Sequence, residues 1–411
     1  ATNDAFEIFG GEGSTFTGNI VNAGRIDAGS SGILLAMSNF EGDITNSGVI
    51  NAEEGRGISI SVSDLVGPGG EVPAQITNTG SIIADDTGVY IFGSTVTADF
   101  TNTAAGPLDP FGQITSTNNA ALVLAANTLW DGDITNDGTL SGRAGAIVNA
   151  TFISDGFFSS TGGSFEGTIT NNGLIEGDQF GLVVAGDGFT GELVNTGEII
   201  ATSSEAFSVA GLIVSVDSWS GNITNTSTGL IQGAVTGAYI SANTFEGDII
   251  NDGVISGGAG SIGQLFFDPG LVVSVGTYTG DIINNGTLDA VTDALVVDVG
   301  TLTGSVINTG VIDETGGGRA VLLDVGNGTT FTNTDGGLVF GDIVFDDPVF
   351  GGKATYHFVG EDGGVEGRLL GKVDLSNDND DTITVQTGTQ YFYFDGKGSA
   401  LNNLASFTVE D

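Results

Sequence analysis

"FEGDITNSGVI", from Phe40 to Ile50, returns as "FEGDIINDGVI" from Phe245 to Ile255. With the first asparagine of each as anchor, equivalent residues are Asn22, Asn46, Asn78, Asn102, Asn136, Asn171, Asn195, Asn225, Asn251, Asn284, Asn308 and Asn333. Their spacings run from 24 to 35 residues, and the shortest, 24, recurs four times among them. A period in this range marks a solenoid or a propeller. Two positions before the anchor the residue is always apolar, as at Ile20, Ile44, Phe100, Leu193, Val306 and Phe331. Six before it stand Phe16, Phe40, Trp130, Phe165, Phe189, Trp219, Phe245 and Tyr278. Glycine dominates four before and two after, and an apolar residue returns four after.

Alternation at period two predicts short strands, and the Asn and Gly punctuation predicts turns. Each copy reads as a strand, an N-x-G turn, a second strand, a variable segment and an apolar run such as "GILLAM" (Gly32 to Met37) or "GLVVAG" (Gly181 to Gly186). Propeller blades need about forty residues, and the consensus of leucine-rich repeats is missing, so three strands in 24 residues predict a parallel β-helix. The expected fold is therefore all-β: a right-handed parallel β-helix, or solenoid, of about 12–13 coils. At about 4.8 Å per coil it would form a rod roughly 60 Å long, with stacked core residues and asparagines hydrogen-bonded along the axis.

The expected organisation is an edge or cap strand over residues 1–15, repeats over 16–339 and a small β-rich module over 340–411. After Val339 the register fails, and "ATYHFVG" (Ala354 to Gly360), "DTITVQ" (Asp381 to Gln386) and "YFYF" (Tyr391 to Phe394) read as strands of a hairpin-rich cap. Insertions such as Asp64 to Ala74, Gly106 to Gly112, Ile153 to Ser164 and Gly263 to Gly270 are the expected binding loops.

Composition bounds the function. Among 411 residues there are 70 glycines and 6 prolines, suited to short strands and tight turns. Fifty-one acidic residues against eight Lys plus Arg give a formal charge of -43, a field that repels nucleic acid and anionic membranes. The 39% apolar content is enough to build a core. Cysteine is absent, which constrains the compartment only weakly. An exported chain would carry Ala1 as the residue left by a peptidase that cuts after small residues.

"GDITNSGVI" (Gly42 to Ile50), "GTITNNGLI" (Gly167 to Ile175) and "GDIINNGTL" (Gly280 to Leu288) resemble the passenger regions of bacterial autotransporters and related β-helical surface proteins of Gram-negative bacteria. The resemblance covers most of residues 16 to 340. It implies a secreted, extracellular β-helix on a bacterial cell surface without specifying an activity, since such passengers include adhesins, biofilm proteins, proteases and esterases. The family's membrane barrel has no counterpart after residue 340, where too few amphipathic strands follow.

Three sites are expected. The first is calcium held by Asp99, Asp133, Asp248 and Asp281, three residues before their anchors, where neighbouring carboxylates would repel without a cation; a solvated acidic face is the alternative. The second is "DLSNDNDDTITV", offering Asp374, Asn377, Asp378, Asp380 and Asp381 as oxygen ligands, or forming an ordinary Asn/Asp turn. The third is self-association through uncapped strand edges at Phe6, Ile8 and Phe9 and at Tyr391, Phe392 and Phe394. Catalysis finds little support: the coil arginines Arg25, Arg56, Arg143 and Arg319 share no column, and His357 has no nucleophile elbow near it. The leading expectation is a non-enzymatic surface adhesin, or a subunit of a surface layer, filament or biofilm matrix. Its partners would be further copies of itself and surface glycans. The alternative is a carbohydrate-active β-helix, a polysaccharide lyase or hydrolase or a glycan-binding tailspike-like protein, with Phe157, Phe158, Phe266 and Phe267 lining a groove.

Overall fold

Ile44, Thr45 and Asn46 form a strand that aligns residue for residue with Ile20, Val21 and Asn22 on one side and with Ile76, Thr77 and Asn78 on the other, all parallel. The anchors thus lie over one another as the period requires. The computed structural model describes residues 4–70, 72–103, 112–154, 157–203, 210–258, 269–326, 328–334, 336–345, 354–359, 368–370, 373–374, 381–386 and 404–410. No helix occurs among them, and the chain is an all-β stack of parallel strands. Its contacts group into two units, Ala1–Ser218 and Trp219–Asp411.

In the first unit the opening coil is β1 (Phe6–Phe9), β2 (Thr15–Thr17), β3 (Ile20–Asn22) and β4 (Arg25–Ala28). The next is β5 (Ile33–Ala36), β6 (Asn39–Glu41), β7 (Ile44–Asn46) and β8 (Val49–Ala52). Each pairs in parallel with its counterpart. A coil therefore has four strand columns, one more than the three read from the sequence. The reason is the glycine four before the anchor. Gly18, Gly42, Gly132, Gly167 and Gly191 have φ between +139° and +157°, a region L side chains avoid. The chain turns there, separating the aromatic segment from the Ile-x-Asn segment.

The inward columns are the core. In the first unit Phe40, Leu65, Val96, Trp130, Phe165 and Phe189 follow one another in register, each 0–2% exposed. Phe165 and Phe189 stack at 4.9 Å and 9°. In the second unit Trp219, Phe245 and Tyr278 stack at 5.8 and 4.9 Å. Stacked rings add to the burial of large apolar areas.

Between the apolar columns runs a buried polar one. In the first unit each Asn Nδ2 donates to the next Oδ1 from Asn22 through Asn195, at 2.7–2.9 Å. In the second unit the row runs from Asn225 to Asn333 at 2.7–2.8 Å. The second Nδ2 proton reaches the carbonyl of the corner glycine, for example Asn136 to Gly138 O at 3.3 Å. The carboxamides are at most 8% exposed, and their burial is tolerable because both ends are satisfied.

The tail departs from the hairpins expected over 340–411. Ala354–Val359 pairs in parallel with Thr329–Thr334, then with Asp381–Gln386, which pairs with Leu404–Glu410. Arg368–Leu370 and Val373–Asp374 likewise extend the columns of Leu338–Phe340 and Asp342–Phe345. The stack continues beyond the asparagines: Phe358, Val385 and Val409 take up the register of Asn333. His357 shares the register of Thr332 and Thr384 as one member of a strand column.

Asn136→Leu removes the acceptor of one Nδ2 proton of Asn102, whose other bond to Gly112 O remains, and the donor to the Oδ1 of Asn171. At about 1–3 kcal/mol for each buried group left unpaired, it is expected to lower stability by several kcal/mol in chemical denaturation. Tyr278 gives a pH prediction. Burial first, then the charge of Asp248, pushes its phenol far above the ordinary value of 10.0. The neutral ring, donating to Asp281 O at 3.1 Å, is what the fold holds. Stability from this group is complete below about pH 10, the unfolded value, and is lost as pH rises above it. Melting temperatures measured from pH 8 upward should fall more steeply above about pH 10 in the wild type than in Tyr278→Phe.

Candidate functional site

Asp43, Asp133, Glu192, Asp248 and Asp281, three before their anchors, lie directly after kinked glycines, whereas Gln75 and Asp99 follow Ala74 and Ala98. The kink takes the following N–H out of the strand ladder, and the side chain of the preceding coil accepts it. In the first unit Asp43 N donates to Asn19 Oδ1, Gln75 N to Asp43 Oδ1, Asp133 N to Asp99 Oδ1 and Thr168 N to Asp133 Oδ1, at 2.7–2.9 Å. Gln75 also donates from Nε2 to Asp99 Oδ2 at 2.8 Å. In the second unit Asp248 N donates to Asn222 Oδ1, Asp281 N to Asp248 Oδ1 and Ser305 N to Asp281 Oδ1, at 2.7–2.8 Å.

The column assigned to calcium is thus a row of corner acceptors. Asp99 adjoins Asp133, and Asp248 adjoins Asp281, as the spacing required. Each of these four carboxylates spends an oxygen on a backbone donor of the following coil. Among the described residues no three acidic or histidine side chains come together as a metal site. Asn19, Gln75 and Asn222 belong to this column and were passed over because only the acids in it were read. The second calcium candidate is divided: Asp374 and Asp381 lie in strands of different columns, while Asn377, Asp378 and Asp380 fall outside the described residues.

Three coil arginines are held in ion pairs. Arg25 meets Asp27 at 2.6 Å on the surface. Arg56 meets Asp86 at 3.1 Å and lies 3.8 Å over the Tyr90 ring. Arg319 forks onto Asp293, both contacts at 2.9 Å, and the Asp293 side chain is only 3% exposed. In the second unit Asp313 has its carboxyl raised above the ordinary range, by burial first and then by Asp289 and Glu314.

One insertion of the first unit is a cover. Residues Ala150–Ser154 and Phe157–Ser160 form an antiparallel hairpin. Its base is fixed by Asn149, at φ 52°, whose Oδ1 accepts Ala126 N at 3.0 Å. Thr161 Oγ1 donates to Ala126 O at 2.9 Å. Phe158 meets the edge of Phe180 at 6.0 Å and 88°. Beneath lies a second apolar cluster including Val123, Ile147, Val183 and Ile213, all buried. The wall here is apolar on both faces and the hairpin closes it. Of the aromatics expected to line a groove, Phe158 packs on this cluster, Phe157 stands in the hairpin strand, and Phe266 and Phe267 fall outside the described residues.

Among the described residues β1 pairs with β5. Phe6 is 42% exposed and Phe9 64%, and Ile8 is half-buried. The other expected edge, Tyr391, Phe392 and Phe394, falls outside the described residues.

Comparisons with protein-family models, with curated proteins and with solved structures found no match.

Substitutions at Asp133 separate a corner acceptor from a metal ligand. Asp133→Asn keeps the acceptor for Thr168 N, as Asn19 does for Asp43, and should melt close to the wild type. Asp133→Ala leaves that N–H without its acceptor and should cost about 1–2 kcal/mol. Melting curves with calcium and with a chelator should shift neither the ranking nor the wild-type value.

Proposed function

We propose that this chain is a non-enzymatic extracellular protein of a bacterial surface, resembling an autotransporter passenger. In this reading it is a right-handed parallel β-helix of about 12–13 coils, acting as a rigid acidic scaffold that associates with its own kind in a layer, filament or biofilm matrix. The observation that supports the reading is the stack of parallel strands with a buried asparagine row in each unit, a repeat architecture in which each coil is braced by its neighbours.

The charge supports the same reading. At -43, chains repel one another over most of their surface, so contact is favoured where apolar groups are concentrated. The walls are closed by backbone pairing and by paired side chains. Arg25, Arg56 and Arg319, of the residue type a lyase would use to handle an acidic sugar, are engaged with Asp27, Asp86 and Asp293.

Sedimentation velocity over a range of protein and salt concentrations tests this. The expected outcome is reversible association that strengthens as salt screens the charge, with ordered assemblies in electron micrographs. A single monomeric species at every concentration and ionic strength, or turnover of a polysaccharide, overturns it.

A further inference from the structure

The residue between an anchor and its glycine stands outside the buried row, and the two units place the same three residue types there in consecutive coils. These are Asp137, Asn172 and Thr196 in the first unit and Asp252, Asn285 and Thr309 in the second. In the first, Asn172 Nδ2 donates to Asp137 Oδ1 at 2.7 Å and Thr196 Oγ1 donates to Asn172 Oδ1 at 2.6 Å. In the second, Asn285 Nδ2 donates to Asp252 Oδ1 and Thr309 Oγ1 donates to Asn285 Oδ1, both at 2.7 Å. Asn172 and Asn285 are exposed to solvent, yet each carboxamide is held at both ends, by the coil before and the coil after.

Both central residues precede a glycine; Asn327, the other asparagine that does so, falls outside the described residues. Asparagine is a labile residue, and least durable before glycine, where no Cβ keeps the next backbone nitrogen from the Asn Cγ. That nitrogen attacks Cγ and loses its proton to solvent, the bond from Cγ to Nδ2 breaks, and ammonia leaves. Water then opens the five-membered succinimide to aspartate or isoaspartate. The glycine cannot be exchanged to avoid this: a Cβ on Gly173 would collide with Gly138 O, and one on Gly286 with Gly253 O. The same stacking restrains the reacting groups. Asn172 N and Gly173 N both donate to Asn136 O, at 2.8 and 3.0 Å, and Asn285 N and Gly286 N both donate to Asn251 O, at 2.8 and 2.9 Å. The proton that the nucleophile must lose is engaged, and the electrophilic carboxamide is tied to its neighbours instead of turning onto its own backbone.

We infer that Asn172 and Asn285 are latent sites of covalent modification, deamidated only when the coil around them opens, and that the Asp and Thr of the adjoining coils are the clamp that keeps them silent. The rate in the folded chain is then the rate of a free Asn-Gly pair multiplied by the fraction of time the coil is open. The product differs from the starting state in charge. A carboxylate at 172 or 285 would face Asp137 or Asp252 where an amide now donates, so repulsion replaces a hydrogen bond. One opening event thereby leaves a lasting mark in the stack.

The test incubates the full chain at mildly alkaline pH and follows the exchange of NH2 for OH at each asparagine by mass mapping. Short peptides with the sequences of residues 166–178 and 279–291 serve as unconstrained references. Both sites in the folded chain should react at least about tenfold more slowly than in the peptides. Asp137→Ala should speed reaction at Asn172 several-fold and leave Asn285 at its wild-type rate, and Asp252→Ala should do the reverse. Thr196→Val removes the other contact with little change of shape and should also speed Asn172, whereas Thr196→Ser keeps the hydroxyl and should stay slow. Melting temperatures close to the wild type in these variants show that the clamp, and not the whole fold, has been released. The inference is overturned if the folded chain reacts as fast as the peptides, or if Asp137→Ala and Thr196→Val leave Asn172 at the wild-type rate. Equal acceleration at Asn172 and Asn285 in Asp137→Ala also overturns it, in favour of general loosening of the stack.

Discussion

A carboxamide that donates to the carboxamide of the next coil, repeated at every anchor, is the constraint on which the rest of each unit depends. It fixes register. A slip of one residue would turn the whole apolar set of a strand outward and would leave buried amides opposite aliphatic groups. Because the amide also binds the corner glycine carbonyl, it ties the turn to the column as well. The aromatic stacks, the corner acceptors and the parallel ladders all follow once that register is set.

Glycine plays two roles here, and they have different causes. The glycine four before the anchor supplies a backbone angle that turns the chain and exposes an N–H, which creates the need for an acceptor in the coil before. The glycine two after the anchor supplies space for a carbonyl. Both are consequences of stacking at strand spacing, where backbone meets backbone at the corners and a methyl group is too large. The acidic face of the protein is thereby partly structural: Asp43, Asp99, Asp133, Asp248 and Asp281 are corner acceptors before they are charges.

Much of this was legible in the sequence. The anchor column, the inward apolar positions and the aromatic stack came from spacing alone, because identical residues at a fixed period leave few arrangements. The fourth strand was not legible, since Gly42 within "FEGDITN" looks like an ordinary strand residue until its φ of +157° is known. The hydrogen bonds of the carboxylate column were not legible, because their donors come from the backbone of another coil, which no side-chain pattern reveals. The tail was misread for a simpler reason. Once Phe358, Val385 and Val409 replace the asparagine, the punctuation disappears while the pairing persists. The hairpin over Val123 and Ile147 left a faint signal in the unbroken apolar run "AALVLAA", from Ala120 to Ala126, too apolar for a wall with one wet face.

The asparagine rows also have a sense of direction. In each unit every amide points its oxygen toward the coil before and its nitrogen toward the coil after, so the bond dipoles add along the row. Neighbouring members of such a chain polarise one another. Each row is therefore electrically lopsided along its length, and a stack with every amide reversed would carry the opposite sign.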